Sequence, residues 1–552
     1  MNKTSPSLVI GAFDEPATLD PHKAFDTASR HPLVNIYDGL YRLSPDRVIE
    51  PALAEALPVL EERGTEIWAT LPVRAGVRFQ DGSAMTPHDV GYSLRRMAIT
   101  ANGPASLWSD ALLGEPLTEL DAEVATAMAD RIHVTSDGLL LKLRGNFNPL
   151  AAFLVEWSLV MSQDWAVAAG GWDGDTASIP RFINAGTSAI DATTNGTGPY
   201  ALAEWDRDER FMRFTRHDAH WSHREDTPVE VTLRSEDDRF VREDQLLTGK
   251  SDFSVCQPES RERLGDLGGI VLEKQPGEWS ITPVGFINQN VAKGSPALGS
   301  GAFGPDGIRP DAFSDLHLRR MLGHAFDHDR YIKDVLDGES LSHPVPFPLP
   351  ALPGGASALA PYDLDLARAE FEQAWGGEAA RKGLRLVMHT HAANISRVRA
   401  AEIMAEGLRQ VHPAIVVEIE ALDFVALMSS LYDGLSPLTW LGWSADYPHP
   451  YAFASTMLDE RAPLPSVLGI SGPVLADLLA RAQQATEEQA GERYRRISDH
   501  CREQSLFVAV PGKVSYLTYA DRWEGVRLKN EMGNILDFSS FRLREGSEGA
   551  LS

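Results

Sequence analysis

Residues 439–450 read Thr-Trp-Leu-Gly-Trp-Ser-Ala-Asp-Tyr-Pro-His-Pro. A run of aromatic and small residues leads out of a predicted strand, and Asp446 arrives just before Pro448 and Pro450, which end regular structure and fix the loop. The pattern holds one carboxylate at a strand end beside the aromatic walls of Trp440 and Trp443, as a site for a cationic group would need. The same residues also read as a turn in which Asp446 caps the chain ahead of Pro448, and composition alone leaves the two readings level. A catalytic serine does not fit. Gly442-Trp-Ser444-Ala-Asp446 departs from the nucleophile-elbow pattern at its last position, where close packing requires glycine.

Upstream, residues 396–410 carry helical periodicity and lead into the strand-like Ile415-Val416-Val417-Glu418-Ile419, a unit in which a helix packs on a sheet. A helix is predicted over about 315–336, where Leu318, Met321, Leu322 and Ala325 recur at helical spacing. Another begins near Asp363, with Leu366, Ala367, Ala369 and Phe371 as its buried side. Thr86-Pro87 with Asp89 is helix-start chemistry for residues 86–97: a cap, a first-turn proline and a negative charge at the positive end of the dipole. Near the N-terminus, Leu8-Val-Ile-Gly11 reads as a strand. Strand-like and helix-like runs alternate throughout, which is an α/β pattern.

The chain has 552 residues, enough for two or three domains, with 43% apolar and 23% charged residues. Its net charge is −27, from 78 acidic and 51 basic residues, which sets it against nucleic acid and anionic lipid surfaces. The two cysteines, Cys256 and Cys501, form no zinc or redox spacing and no disulfide framework. The longest apolar run, from Leu150 to Met161, is broken by Glu156 and is shorter than the roughly 20 residues a membrane span needs. No basic-then-apolar segment precedes Leu8, which predicts either a cytoplasmic protein or one whose export signal has been removed.

Two motifs are set aside. Gly299-Ser-Gly301-Ala-Phe-Gly304 has the spacing of a dinucleotide fingerprint, but no strand precedes it and Pro305-Asp306-Gly307 follows where a helix should begin, so it is read as a loop. His324 and His328 stand four apart on the predicted 315–336 helix, and His217, His220 and His223 follow a strand. Both groups are read as solvated or internally satisfied histidines ahead of metal ligands. No catalytic residues, metal or cofactor are expected.

Several short segments, in order, resemble the extracellular solute-binding protein family 5, whose members include dipeptide-, oligopeptide- and nickel-binding proteins. They are Pro16-Ala-Thr-Leu-Asp20-Pro21, Ile36-Tyr-Asp38-Gly-Leu40, Pro51-Ala-Leu-Ala-Glu55, Val73-Arg-Ala-Gly76-Val-Arg-Phe79-Gln-Asp-Gly82 with Thr86-Pro-His-Asp-Val90, Gly196-Thr-Gly-Pro-Tyr200 with Trp205, Leu318 to Asp327, and Gly442-Trp-Ser-Ala-Asp446-Tyr-Pro448. Each is weak alone; the ordered set is specific and spans nearly the whole chain.

The resemblance implies an α/β, two-lobed periplasmic-binding-protein-like fold (type II) of the large kind with an extra subdomain in lobe one. Lobe one would hold residues 1–45, the inserted subdomain 46–185, residues 186–275 and the C-terminal part 512–552; lobe two would be 276–511. Crossings near Trp279–Asn288 and Val508–Tyr516 would form the hinge. It also implies the role of substrate-binding component of an ABC importer, taking short peptides to a membrane permease. The protein would be a monomer outside the cytoplasm, with a possible lipid anchor. In peptide-binding relatives the acid of the Gly-Trp-x-x-Asp motif pairs with the ligand's α-amino group, which maps onto Asp446. Trp443, Ser444 and Trp440 would line the same pocket, and Phe25 belongs to the same expected set.

One position departs from the dipeptide-specific pattern. The arginine that grips a ligand carboxylate is matched by His391, with His389, Arg397 and Arg399 nearby, and a neutral imidazole is a poorer clamp than a guanidinium fork. Longer peptides, or a sugar, opine or metal chelate, therefore stay open, as does a cytoplasmic ligand-sensing domain.

Overall fold

The computed structural model describes residues 7–545 apart from 13, 102, 116, 118, 146, 257–259, 266–267, 276, 342–344, 353–358, 531 and 533. The chain divides into two compact units, one of residues 1–274 and 516–552, the other of 275–515.

In the first unit, Ser7–Ala12 buries Leu8 and Ile10 at strand spacing. It lies inside a seven-stranded sheet in the order 270–274, 516–520, 253–256, 7–12, 230–235, 211–216, 200–206. Its pairing with Glu230–Ser235 is parallel, and Tyr516–Ala520 returns late in the chain to insert between two earlier strands. A four-stranded antiparallel sheet is built from Val59–Arg63, Glu66–Pro72, Gly138–Leu143 and Ile132–Val134. The helix Pro87–Ala98 starts as its sequence predicts: the Asp89 carboxylate accepts the Thr86 N–H at 2.9 Å in a capping box. That helix carries the buried Arg96, whose guanidinium donates to both oxygens of Asp20 at 2.7 and 2.5 Å.

The second unit is built on a five-stranded sheet in the order 415–422, 384–391, 438–444, 280–287, 507–508. The first three strands are parallel, and Ser280–Ile287 runs antiparallel to both its neighbours. From Leu384–His391 the chain crosses by the helix Ile395–Val411 to Ile415–Leu422, then returns past its starting strand by Phe424–Tyr432 to Leu438–Ser444. Right-handed crossovers in opposite directions along a sheet put the two helices on opposite faces. The inner strands Leu384–His391 and Leu438–Ser444 are buried over consecutive residues where both faces are covered, whereas the edge strand Ile415–Leu422 alternates at its start.

Four expectations are corrected. The predicted 315–336 helix is two, Leu316–Ala325 and His328–Val335, because Phe326 leaves helical conformation and Asp327 caps a new start. His324 and His328 therefore do not share a helix, and each ring meets a backbone carbonyl, Pro361 O at 3.0 Å and Ala509 O at 3.3 Å. On Leu364–Gln373 the buried side is Ala367 and Phe371, while Leu366 and Ala369 face solvent. Gly299–Gly304 is a strand rather than a loop, folding back so that Gly299 and Gly304 bridge Gly307. A Cβ on Gly299 would lie 2.0 Å from Asp306 O, which explains the glycine without a nucleotide. Residues 279–288, expected to carry the chain between lobes, are mostly the strand Ser280–Ile287 inside the second sheet; the chain changes units at 274–275 and 515–516.

Candidate functional site

Parallel strands end in a row, and loops leaving their carboxyl ends are where α/β sheets hold ligands. In the second unit this row is His391, Leu422 and Ser444. The strand Leu438–Ser444 emerges from the core along its length: residues 438–441 are buried, Gly442 and Trp443 half-buried and Ser444 exposed. Beyond it, Ala445 N–H donates to Trp279 O at 2.9 Å, and Asp446 follows half-buried. Burial, and then the Asp446 charge, raise the Tyr432 phenol above its ordinary range.

The tail of this segment does more than end structure. Pro450 caps a short helix, Tyr451–Met457, and His449 Nδ1 accepts the Tyr451 N–H at 3.1 Å. Trp443 donates Nε1 to Thr456 Oγ1 of that helix at 3.1 Å and sets its ring edge-on to Phe286. The helix thus orients the tryptophan, and Trp443 keeps a half-exposed surface at the strand end.

Gly442 admits a neighbour. A Cβ there would sit 2.9 Å from Arg397 Nη2 and 2.7 Å from Thr282 Oγ1, so the missing side chain lets the guanidinium lie against the strand. Arg397 comes from the first turn of Ile395–Val411, whose cap Asn394 accepts the Arg397 N–H at 3.1 Å. Its Nε is buried without a hydrogen-bond partner, and burial lowers its pKa. Among the described residues no carboxylate pairs with it. A half-buried cation left in this state is a ready partner for an anionic or carbonyl group.

The remaining sequence-predicted residues divide. Trp440 is corrected: it is fully buried in the core of the unit, 5.7 Å from the Phe326 ring, because the strand is still covered on both faces at that depth. Arg399 is tied to Asp334 at 3.0 Å and Glu402 at 2.7 Å, so its charge is already matched on the protein surface. His389 is buried and its Nδ1 lies 2.7 Å from Ser430 Oγ. His391, half-buried, stands at the strand end against the edge of Phe424 at 5.7 Å. Phe25 belongs to the first unit, where it is 47% exposed and stacked on Trp157 at 5.1 Å.

Residues passed over in the sequence also sit at this end of the sheet. Ile395, Phe424 and Val425 are 75%, 52% and 75% exposed, each in the first turn of a helix that leaves a strand end. The signal was present: they follow the caps Asn394 and Asp423 directly, and Ile395 lies off the buried stripe that begins at Ala400. Among the described residues no group of histidine, cysteine or carboxylate side chains is arranged to hold a metal, and no helix is long and apolar enough to cross a membrane.

Comparison with known proteins agrees with this architecture. Protein XP55 of Streptomyces lividans is 25% identical over 547 residues, 95% of this chain and 87% of its own length. Among solved structures, the ABC transporter substrate-binding protein CtaP of Listeria monocytogenes superposes with a TM-score of 0.76 at 16% identity, covering 98% of this chain and all of its own. The periplasmic binding protein DppA of Helicobacter pylori, solved with the peptide STSA, gives 0.69 at 19% identity, covering 98% of each chain. The family model of bacterial extracellular solute-binding proteins, family 5 (Middle), matches residues 48–463. With its sheet, its strand-end site and this match over most of its length, the chain belongs to the bacterial extracellular solute-binding proteins of family 5.

Proposed function

We propose that this protein is the ligand-capturing component of an ABC importer, working outside the cytoplasmic membrane and delivering short peptides to a membrane permease. One observation carries the reading: the strand Leu438–Ser444 leads into a half-buried carboxylate, Asp446, while the half-buried Arg397, with no carboxylate partner among the described residues, lays its guanidinium against Gly442 of the same strand. A short peptide is a zwitterion with both charges to match. Asp446 takes the ammonium, Arg397 the carboxylate or a backbone carbonyl, and Trp443 and Ser444 form the wall between strand end and loop. The exposed Ile395, Phe424 and Val425 offer apolar contact that is tolerant of side-chain identity. The peptide-bound DppA supports the reading from the side of the fold.

Asp446→Ala is expected to weaken binding of a short peptide by about 10²–10³-fold, because the ligand ammonium is then enclosed without a counter-charge. Titration calorimetry checks this, and wild-type affinity in the variant would remove Asp446 from the site. His391, standing where a dipeptide clamp would be an arginine, favours longer peptides over dipeptides and motivates a second reading with a non-peptide ligand. Native mass spectrometry of the purified protein separates the two: a ladder of peptide masses supports the first, a single non-peptide mass the second.

A further inference from the structure

The row of strand ends that carries Asp446 continues to an apolar patch on the far connection. Phe424 and Val425 are 52% and 75% exposed, neighbours in the first turn of Phe424–Tyr432. Single exposed apolar residues are ordinary, but this pair meets a further ring: His391, half-buried at the end of the adjacent strand, sets its edge 5.7 Å from Phe424. The turn is fixed in place. Asp423 accepts the Ala426 N–H at 2.9 Å, and Ala392 N–H donates to Leu422 O at 2.8 Å, which ties the two connections together. Ile395 is as exposed as Val425 but begins the helix on the opposite face of the sheet. Glu420 and Asp423, both exposed, flank the pair along the chain.

The sheet sets the reach from Asp446 to this patch. The strand order 415–422, 384–391, 438–444 puts two strand spacings, about 10 Å, between the strand that leads to Asp446 and the one that leads to Phe424. Thr390 pairs with Trp440 and His391 with Leu422, so Leu438–Ser444 runs on beyond the level at which the other two strands end, by about 10 Å. The two offsets combine to about 14 Å, the length of about four extended residues. With its ammonium on Asp446, a peptide brings its third or fourth side chain to the patch, and a dipeptide falls short.

We infer that the site takes peptides of at least three residues and that Phe424 and Val425 receive a bulky apolar side chain from the third or fourth of them. The inference rests on the peptide reading above, with Asp446 holding the ammonium. Apolar contact is non-directional, so leucine, methionine and phenylalanine are accepted alike. Glu420 and Asp423 turn an acidic side chain away.

The test is calorimetric titration of the full chain with pentaalanine and with variants of it carrying phenylalanine or glutamate at one position, from the second to the fifth. Phenylalanine at the third or fourth position should bind about tenfold more tightly than alanine there, as partial burial of an aromatic side chain supplies. Glutamate there should bind more weakly than alanine. The double variant Phe424→Ser, Val425→Ser should lose the phenylalanine advantage; both positions are exposed, and its melting curve checks that it is folded. Asp446→Ala should weaken every peptide yet keep the ratio between phenylalanine and alanine. If phenylalanine gives no gain at either position, or if the gain persists in the double variant, the inference is overturned while the peptide reading stands. If pentaalanine and all its variants fail to bind, the peptide reading itself falls and takes this inference with it.

Discussion

Two arginines in this molecule are held in opposite ways. Arg96, in the first unit, is 1% exposed and meets Asp20, itself fully buried, through two parallel hydrogen bonds; Arg397, in the second, is buried at its Nε with no carboxylate opposite it among the described residues. Burial alone would raise the Asp20 carboxyl, but the Arg96 guanidinium and the His22 contacts overcome this and hold it at about 2. Burial lowers the Arg397 pKa, and no carboxylate offsets it. A buried charge that is matched inside the chain is architecture. One that is left unmatched at a strand end waits for a ligand.

The sharpest way to break this contrast is to remove each guanidinium. Arg96→Leu strands the Asp20 carboxylate in the core and is expected to lower the stability of the first unit by about 3–5 kcal/mol. Arg397→Met strands nothing and should change the stability of the second unit by less than about 1 kcal/mol. Urea denaturation followed by tryptophan fluorescence measures both, and equal losses would erase the distinction.

The same Arg397→Met variant sharpens the contrast from the ligand's side. If Arg397 grips the peptide's terminal carboxylate, binding of free-acid peptides should fall by about 10–100-fold, as for loss of a charged hydrogen bond. C-terminally amidated peptides should lose much less. Equal losses would move Arg397 to a backbone carbonyl.

Titration distinguishes the regions too. Burial, and then the Arg96 charge, press the fully buried His22 down to about 3. The unfolded chain takes up that proton near pH 6.5 and the folded chain does not, so His22 contributes stability that is complete above about pH 6.5 and is lost as pH falls toward 3. Between pH 7 and 5 the loss is about 2 kcal/mol. His22→Gln should flatten the melting temperature of the first unit across this window, and an unchanged pH slope would contradict the assignment. A modest effect is expected for Gly442→Ala. Its new methyl presses on two flexible side chains, Thr282 and Arg397, at a cost of about 1–2 kcal/mol. Peptide affinity should fall with it because the guanidinium must shift.

How much could be read beforehand varies with the range of the interaction. The helix starts at Thr86 and Asp363 and the helix–strand pair Ile395–Val411 and Ile415–Leu422 follow from caps and periodicity a few residues wide. The break at Phe326–Asp327 was hidden by an apolar spacing that continues across it, although Asp327 is itself a good cap. Trp440 and Trp443 look alike in sequence. Only the depth of the strand in the sheet makes one a core residue and the other half-exposed. Arg397 and Arg399 likewise differ through Asp334, sixty-five residues away from Arg399, which matches one and not the other.

The sequence by itself determined the α/β class, the local starts and stops of its best helices, the acidic surface and the ordered motifs that resemble family 5, because these depend on residue type at short spacing. The tertiary structure alone decided which charges are matched. Pairing partners such as Asp20 with Arg96 or Asp38 with His220 lie tens to hundreds of residues apart, and whether a buried charge is satisfied or open to a ligand depends on what the fold places opposite it.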